Sequence, residues 1–218
     1  MTNVIISQLG LGGDLQVPTH ASALVIFAHG SGSSRLSPRN QAVAKALNRQ
    51  GIATLLFDLL SSGEERDRAN VFDIPLLATR LIAAVRWAEK QPQLASLPFG
   101  LFGASTGAAA ALVAASELGS RIGAVVSRGG RPDLAGAALS RVVAPTLLVV
   151  GGDDQVVIRL NEQAYAKLTA PKALKIVPNA THLFPESGAM DAVIALALRW
   201  FSAYLVGAET AANSSLEA

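Results

Sequence analysis

Ser105, His182 and the adjacent aspartates Asp153 and Asp154 are the residues whose types and spacing could do chemistry in this chain. Gly103-Ala104-Ser105-Thr106-Gly107 reads G-x-S-x-G. The apolar run Phe99 to Phe102 leads straight into it, and an alanine-rich helical run follows from Thr106. That is the strand–turn–helix setting of a nucleophile elbow. The turn would strain Ser105, the two glycines would let strand and helix approach closely, and the helix N-terminus would face developing negative charge. A tight glycine turn with a helix-capping serine is the plainer alternative. With no cysteine in the chain, covalent chemistry must use an oxygen or nitrogen nucleophile.

A serine hydroxyl needs a base to become a nucleophile. The chain has three histidines. His20 precedes a strand. His29 ends that strand in His29-Gly30-Ser31-Gly32-Ser33-Ser34, and His182 lies in a loop before the last helix. His29 and His182 both fall at carboxyl ends of strands, where Ser105 lies; His182 also follows the acid candidates in the chain order Ser…Asp…His. A third group must orient the imidazole. Asp153 and Asp154 end a strand together; consecutive side chains point apart, so one is expected to reach His182 and the other to cap the next helix. Asp154, three residues before Val157, is the favoured acid; Asp153 stays open and Asp133 is a weaker candidate.

Acyl transfer also needs donors for an oxyanion. The Thr106 and Ser31 amides are the expected pair, with Gly32 in reserve. The Gly-rich loop lacks the G-K-[ST] ending of a phosphate loop and the third glycine of a dinucleotide fingerprint. Gly32 and Arg128 are candidates for touching substrate. Arg128 and Arg131 could bind a carboxylate or phosphate, or pair locally with Asp133 or Asp154; local pairing is the favoured reading. The charged stretch from Ser61 to Arg68 is expected to face solvent.

These groups need a scaffold that gathers strand ends. Short apolar runs at 24–28, 54–57, 99–102, 123–127, 146–150 and 173–177 read as strands, the first of them buried on both faces. Residues 4–9 and 14–17 suggest an N-terminal hairpin. Helices fit at Pro38–Gln50, Asp73–Lys90, Thr106–Leu118, Ile158–Leu168 and Ala189–Leu205. The alternation predicts an α/β doubly wound, mostly parallel sheet of about eight strands. The gap from Ser127 to Thr146 holds one small helix and no separate lid domain. One domain over 1–206 is expected, with a disordered tail over 207–218.

Half the 218 residues are apolar and the net charge is +2. No run reaches the roughly 18 uninterrupted apolar residues of a spanning helix, and the first residues lack a signal-peptide pattern. The arginines are scattered, which argues against nucleic acid. No metal, cofactor, nucleic-acid or membrane partner is expected. The lack of cysteine fits a cytoplasmic protein, and the last helix permits either a monomer or a homodimer.

"HGSGSS", "GASTG" and "ATHLF", with the Asp154 loop, resemble the α/β-hydrolase superfamily, in particular its small dienelactone-hydrolase-like branch. The same phrases resemble hydrolase domains found alone or joined to phosphoribosyltransferase domains. The resemblance spans about Val4 to Leu205 and implies a Ser/Cys–Asp–His triad and hydrolysis of esters. Dienelactone hydrolases use cysteine where this chain has Ser105, so their substrate specificity does not carry over. The resulting expectation is a serine esterase acting on a small ester; a weakly catalytic binding or regulatory module and an acyltransferase are the alternatives.

Overall fold

A computed structural model describes residues 1–6 and 10–207. β1 (Thr2–Ile6) and β2 (Leu11–Gln16) form the antiparallel hairpin, with Ile5 opposite Gly12. Both strands begin earlier than the apolar pattern suggests, and part of the expected first strand, residues 7–9, lies outside the described residues. The other strands are β3 (Ala23–Ala28), β4 (Ile52–Phe57), β5 (Phe99–Ala104), β6 (Ile122–Arg128), β7 (Thr146–Gly151) and β8 (Lys172–Val177). The eight strands lie in the order β1-β2-β4-β3-β5-β6-β7-β8. From β4 to β8 all neighbours are parallel.

This order decides where a site can form. After β3 the chain crosses outward to β4; after β5 it crosses the other way, to β6. Loops leaving the carboxyl ends of β3 and β5 therefore diverge and leave a crevice between them. The Gly-rich loop and Ser105 both open into that crevice.

Alternation along each central strand supplies two cores. Leu24 and Ile26 of β3 face one layer, while Val25 and Phe27 face the other. The first layer holds α3 (Ile74–Ala88), α4 (Thr106–Leu118) and α5 (Gln155–Lys167). The second holds α1 (Pro38–Arg49) and α6 (Ala189–Phe201). A short helix, α2 (Arg68–Phe72), precedes α3 on the surface. Helix starts follow side-chain caps: Ser37 accepts from Asn40 N–H, Asp73 from Leu76 N–H and Asp154 from Val157 N–H. The Asp154 cap starts α5 three residues before the expected Ile158. Alanines 108–111, 114 and 115 of α4 are wholly buried, because small side chains let this helix lie against the sheet between its neighbours.

Between β6 and β7, Pro132–Arg141 forms 3-10 turns broken at Gly136, with φ 55°. No separate lid stands over the described strand ends. The span Ala189–Val206 has the length and mean hydropathy, 1.5, to cross a membrane. Here it lies across the sheet through Val193, Ala197, Phe201 and Leu205, each wholly buried. The expected tail falls almost entirely in 208–218, outside the described residues.

Candidate active site

Ser105 sits between β5 and α4 at φ 51°, ψ −121°, a conformation that L residues rarely adopt. Such strain costs about 1–3 kcal/mol and persists only where its surroundings enforce it. The flanking glycines show what enforces it. A Cβ on Gly103 would lie 2.4 Å from Ala108 Cα, and one on Gly107 would lie 2.2 Å from Ala28 O. Backbone meets backbone on both sides of the turn. Ser105 occupies the N-cap position of α4, yet its side chain makes no capping bond. The capping-serine alternative therefore fails, and the hydroxyl is left for the crevice. A Cβ on Gly30 would come within 2.9 Å of Ser105 Cβ, so the β3 loop needs glycine beside the serine.

His182 lies on the loop between β8 and α6. Phe184, buried at φ 56°, anchors that loop in the second core layer. The end of β7 clasps it too: Asp153 N–H donates to Ala180 O at 2.9 Å. Thr181 Oγ1 donates to Glu186 Oε1 at 2.5 Å, and this bond holds the Glu186 carboxyl below the usual carboxylate range. His182 Nδ1 lies 2.7 Å from Asp154 Oδ2. A carboxylate only accepts, so Nδ1 carries the proton and Nε2 presents a lone pair. Asp154 Oδ1 meanwhile accepts the α5 cap bond from Val157. One aspartate thus does both tasks divided between Asp153 and Asp154 on sequence grounds, and the Asp153 residue is exposed. Asp133 is taken by Arg131 through two bonds, at 2.9 and 2.8 Å.

His29 is not available as a base. Its Nε2 accepts the Leu59 N–H at 3.0 Å, so Nδ1 carries the hydrogen and donates to Gly30 O at 3.0 Å. Burial holds its pKa below the ordinary histidine value. This neutral ring ties the β3 loop to the end of β4. His20 is exposed, at φ 55°.

The proposed oxyanion donors differ in state. Thr106 N–H heads α4, where a first-turn amide has no intrahelical partner. The Ser31 N–H instead donates to Thr106 Oγ1 at 3.0 Å. In this structure that amide is engaged, by a side chain 75 residues away and beyond any local motif. Gly32, at φ 67°, is the next residue of the same turn, closed by Ser33 N–H on Gly30 O at 3.2 Å.

Gly30, Gly32, Ser105, His182 and Arg128 line one cavity of ≈ 360 Å³, joined by Arg39 of α1. Sequence reasoning missed Arg39; it lies outside every motif, and only the packing of α1 brings it to the crevice. The favoured local pairing of the two loop arginines holds for Arg131 but not for Arg128, which makes no ion pair among the described residues. The stretch from Ser61 to Arg68 is largely exposed, as expected, with Glu64 paired to Arg80. Among the described residues no three His, Asp or Glu side chains converge as a metal-binding group.

Known proteins share this architecture. Residues 21–195 match the model of an alpha/beta hydrolase domain. A crystal structure of dienelactone hydrolase from Anabaena variabilis is 52% identical, with a TM-score of 0.89 over 94% of this chain and 96% of that one. Est1E from Butyrivibrio proteoclasticus, seen with ferulic acid bound, shares the fold at 17% identity and a TM-score of 0.80, over 94% of this chain and 99% of that one. A Mycobacterium tuberculosis protein named, provisionally, a phosphoribosyl transferase is 57% identical over 204 residues; they are 94% of this chain but 46% of that protein. This chain thus spans about half the length of the curated relatives it matches. With an elbow serine, an Asp–His pair and an eight-stranded sheet in one crevice, and a family model matched over most of its length, the chain belongs to the alpha/beta hydrolase family.

Proposed function

We propose that this chain is a serine hydrolase of small carboxylic esters, working through an acyl-enzyme at Ser105. One observation carries the reading: a strained, uncapped Ser105 opens on the same cavity as a histidine whose Nδ1 is held by Asp154. Asp154 keeps the Nδ1–H tautomer and stabilises the imidazolium. His182 Nε2 takes the Ser105 proton as Oγ attacks the acyl carbon. The Thr106 amide and an amide of the Ser31–Gly32 turn receive the oxyanion; for Ser31 this requires turning from Thr106 Oγ1. His182 then protonates the leaving alcohol, and water, deprotonated by the same Nε2, releases the acid and restores Ser105.

The name of the longer relatives covers whole proteins of about twice this length, and the half matched here carries a nucleophile, a base and an acid. Ser105→Ala should abolish turnover of p-nitrophenyl butyrate and labelling by a fluorophosphonate while leaving the urea unfolding midpoint nearly unchanged. Undiminished turnover, or labelling at another residue, would overturn the assignment. Product analysis with a competing alcohol separates hydrolysis from acyl transfer.

A further inference from the structure

Two arginines follow Ser105 in space, and they are treated differently. Arg131 is half-exposed and satisfied by Asp133. Arg128, the last residue of β6, is 5% exposed and meets no carboxylate among the described residues. Among the described residues its one side-chain hydrogen bond runs from Nη2 to Asn40 Oδ1, at 3.2 Å, and its Nε is buried without a partner. The Arg39 Nε is likewise buried and unpartnered, and Arg39 makes no ion pair among the described residues. Both line the cavity that holds Ser105 and His182.

A buried charge without a counter-ion is a costly arrangement, and proteins rarely keep one. Here two like charges share one wall. Burial, and then repulsion from Arg39, lower the Arg128 pKa to about 10, which still leaves it charged at neutral pH. The position is also fixed: Arg128 pairs with Ala104 in the sheet, and its carbonyl accepts the Ser105 N–H at 3.4 Å. The Arg128 backbone is therefore fixed beside the nucleophile, and the Asn40 bond holds its guanidinium. Among the described residues no carboxylate balances it, which leaves the place of a counter-ion open on the cavity wall beside Ser105.

We propose that Arg128 and Arg39 form an anion subsite beside Ser105, selecting esters that carry a carboxylate or phosphate group a few bonds from the scissile carbonyl. This deepens the Ser105 reading and rests on it for turnover, though not for binding. Guanidinium groups suit such ligands because they present several N–H donors to paired oxygens.

The test compares mono-p-nitrophenyl succinate with its neutral methyl ester, at fixed ionic strength. The wild-type chain should favour the anionic ester by about tenfold or more in kcat/KM. That ratio should collapse in Arg39→Gln and in Arg128→Met, and persist in Arg131→Gln. Equal kcat/KM for the two esters in the wild type, or a ratio unmoved in both variants, would overturn the subsite and leave the hydrolase reading standing. A second measurement needs no turnover: inorganic phosphate and succinate, each against sodium chloride of equal ionic strength, should raise the wild-type Tm, and less so that of Arg39→Gln. The larger shift names the group, phosphate or carboxylate, and either supports the subsite. If no ester is turned over, a shift lost in Arg39→Gln supports the subsite while the Ser105 reading falls. If neither anion shifts Tm and no ester is turned over, both fall.

Discussion

At Asp154 one carboxylate oxygen meets His182 Nδ1 at 2.7 Å, and the other accepts the Val157 N–H at 3.4 Å. Two substitutions separate these contacts. Asp154→Asn keeps a side-chain oxygen for the cap but can donate to Nδ1, which favours the wrong tautomer. It should lower kcat by about 10³–10⁴-fold with little change in Tm. Asp154→Ala should lower kcat similarly and also lower Tm by about 2–4 °C, the loss of a helix cap worth roughly 1 kcal/mol. Stopped assays with p-nitrophenyl butyrate and calorimetry would read both; equal Tm losses would mean that the cap bond contributes nothing. That Asp154 and not Asp153 meets the histidine was half legible beforehand. Its place three residues before Val157 favoured Asp154 as the acid, but only the course of the His182 loop brings Nδ1 to its carboxylate, and the cap bond falls on the same residue.

At the scale of elements, the elbow depends on close approach of backbones. Gly107→Ala would drive a methyl group toward Ala28 O, and no flexible side chain is there to yield. It should destabilise the fold by more than about 3 kcal/mol, as overpacking against rigid neighbours does. Gly30→Ala differs, because the nearest atom is Ser105 Cβ at 2.9 Å. That substitution should displace the nucleophile, lowering kcat at least tenfold with a smaller loss of stability. Urea denaturation beside ester turnover distinguishes the two; equal destabilisation would mean that the nucleophile's surroundings are as rigid as the elbow itself. The elbow was readable from five residues because its constraints are local. The Ser31–Thr106 bond was not readable, since it joins the β3 loop to α4 across the sheet order.

For the molecule as a whole, Arg128 is a feature that folding alone does not favour. Replacing a buried charge with an apolar side chain of similar volume is often neutral or stabilising. Arg128→Met should therefore match or exceed the wild-type Tm at pH 7 while losing preference for the anionic ester. The sign of the pH dependence follows from a folded-state pKa near 10, below the ordinary arginine value. The folded state binds this proton less tightly than the unfolded chain, so the penalty is full below about pH 10 and is relieved as pH rises above it. Any Tm advantage of Arg128→Met should shrink over that range. A large Tm loss in Arg128→Met at pH 7 would instead make the arginine a structural element, with its Asn40 contact as the reason.

The chain by itself determined the alternation that builds an eight-stranded α/β sheet, and it marked Ser105, His182 and an aspartate at the end of β7. Those signals are local: apolar periodicity, glycines flanking a serine, and turn residues at strand ends. Tertiary structure decided what local pattern cannot carry. It assigned His29 to a structural bond with Leu59, engaged the Ser31 amide, and parted Arg128 from Arg131. It also brought Arg39 from α1 to the cavity wall. Each of these rests on contacts between segments far apart in sequence, set by the crossing of the chain between β3 and β5, where neighbours in space share no spacing in the sequence.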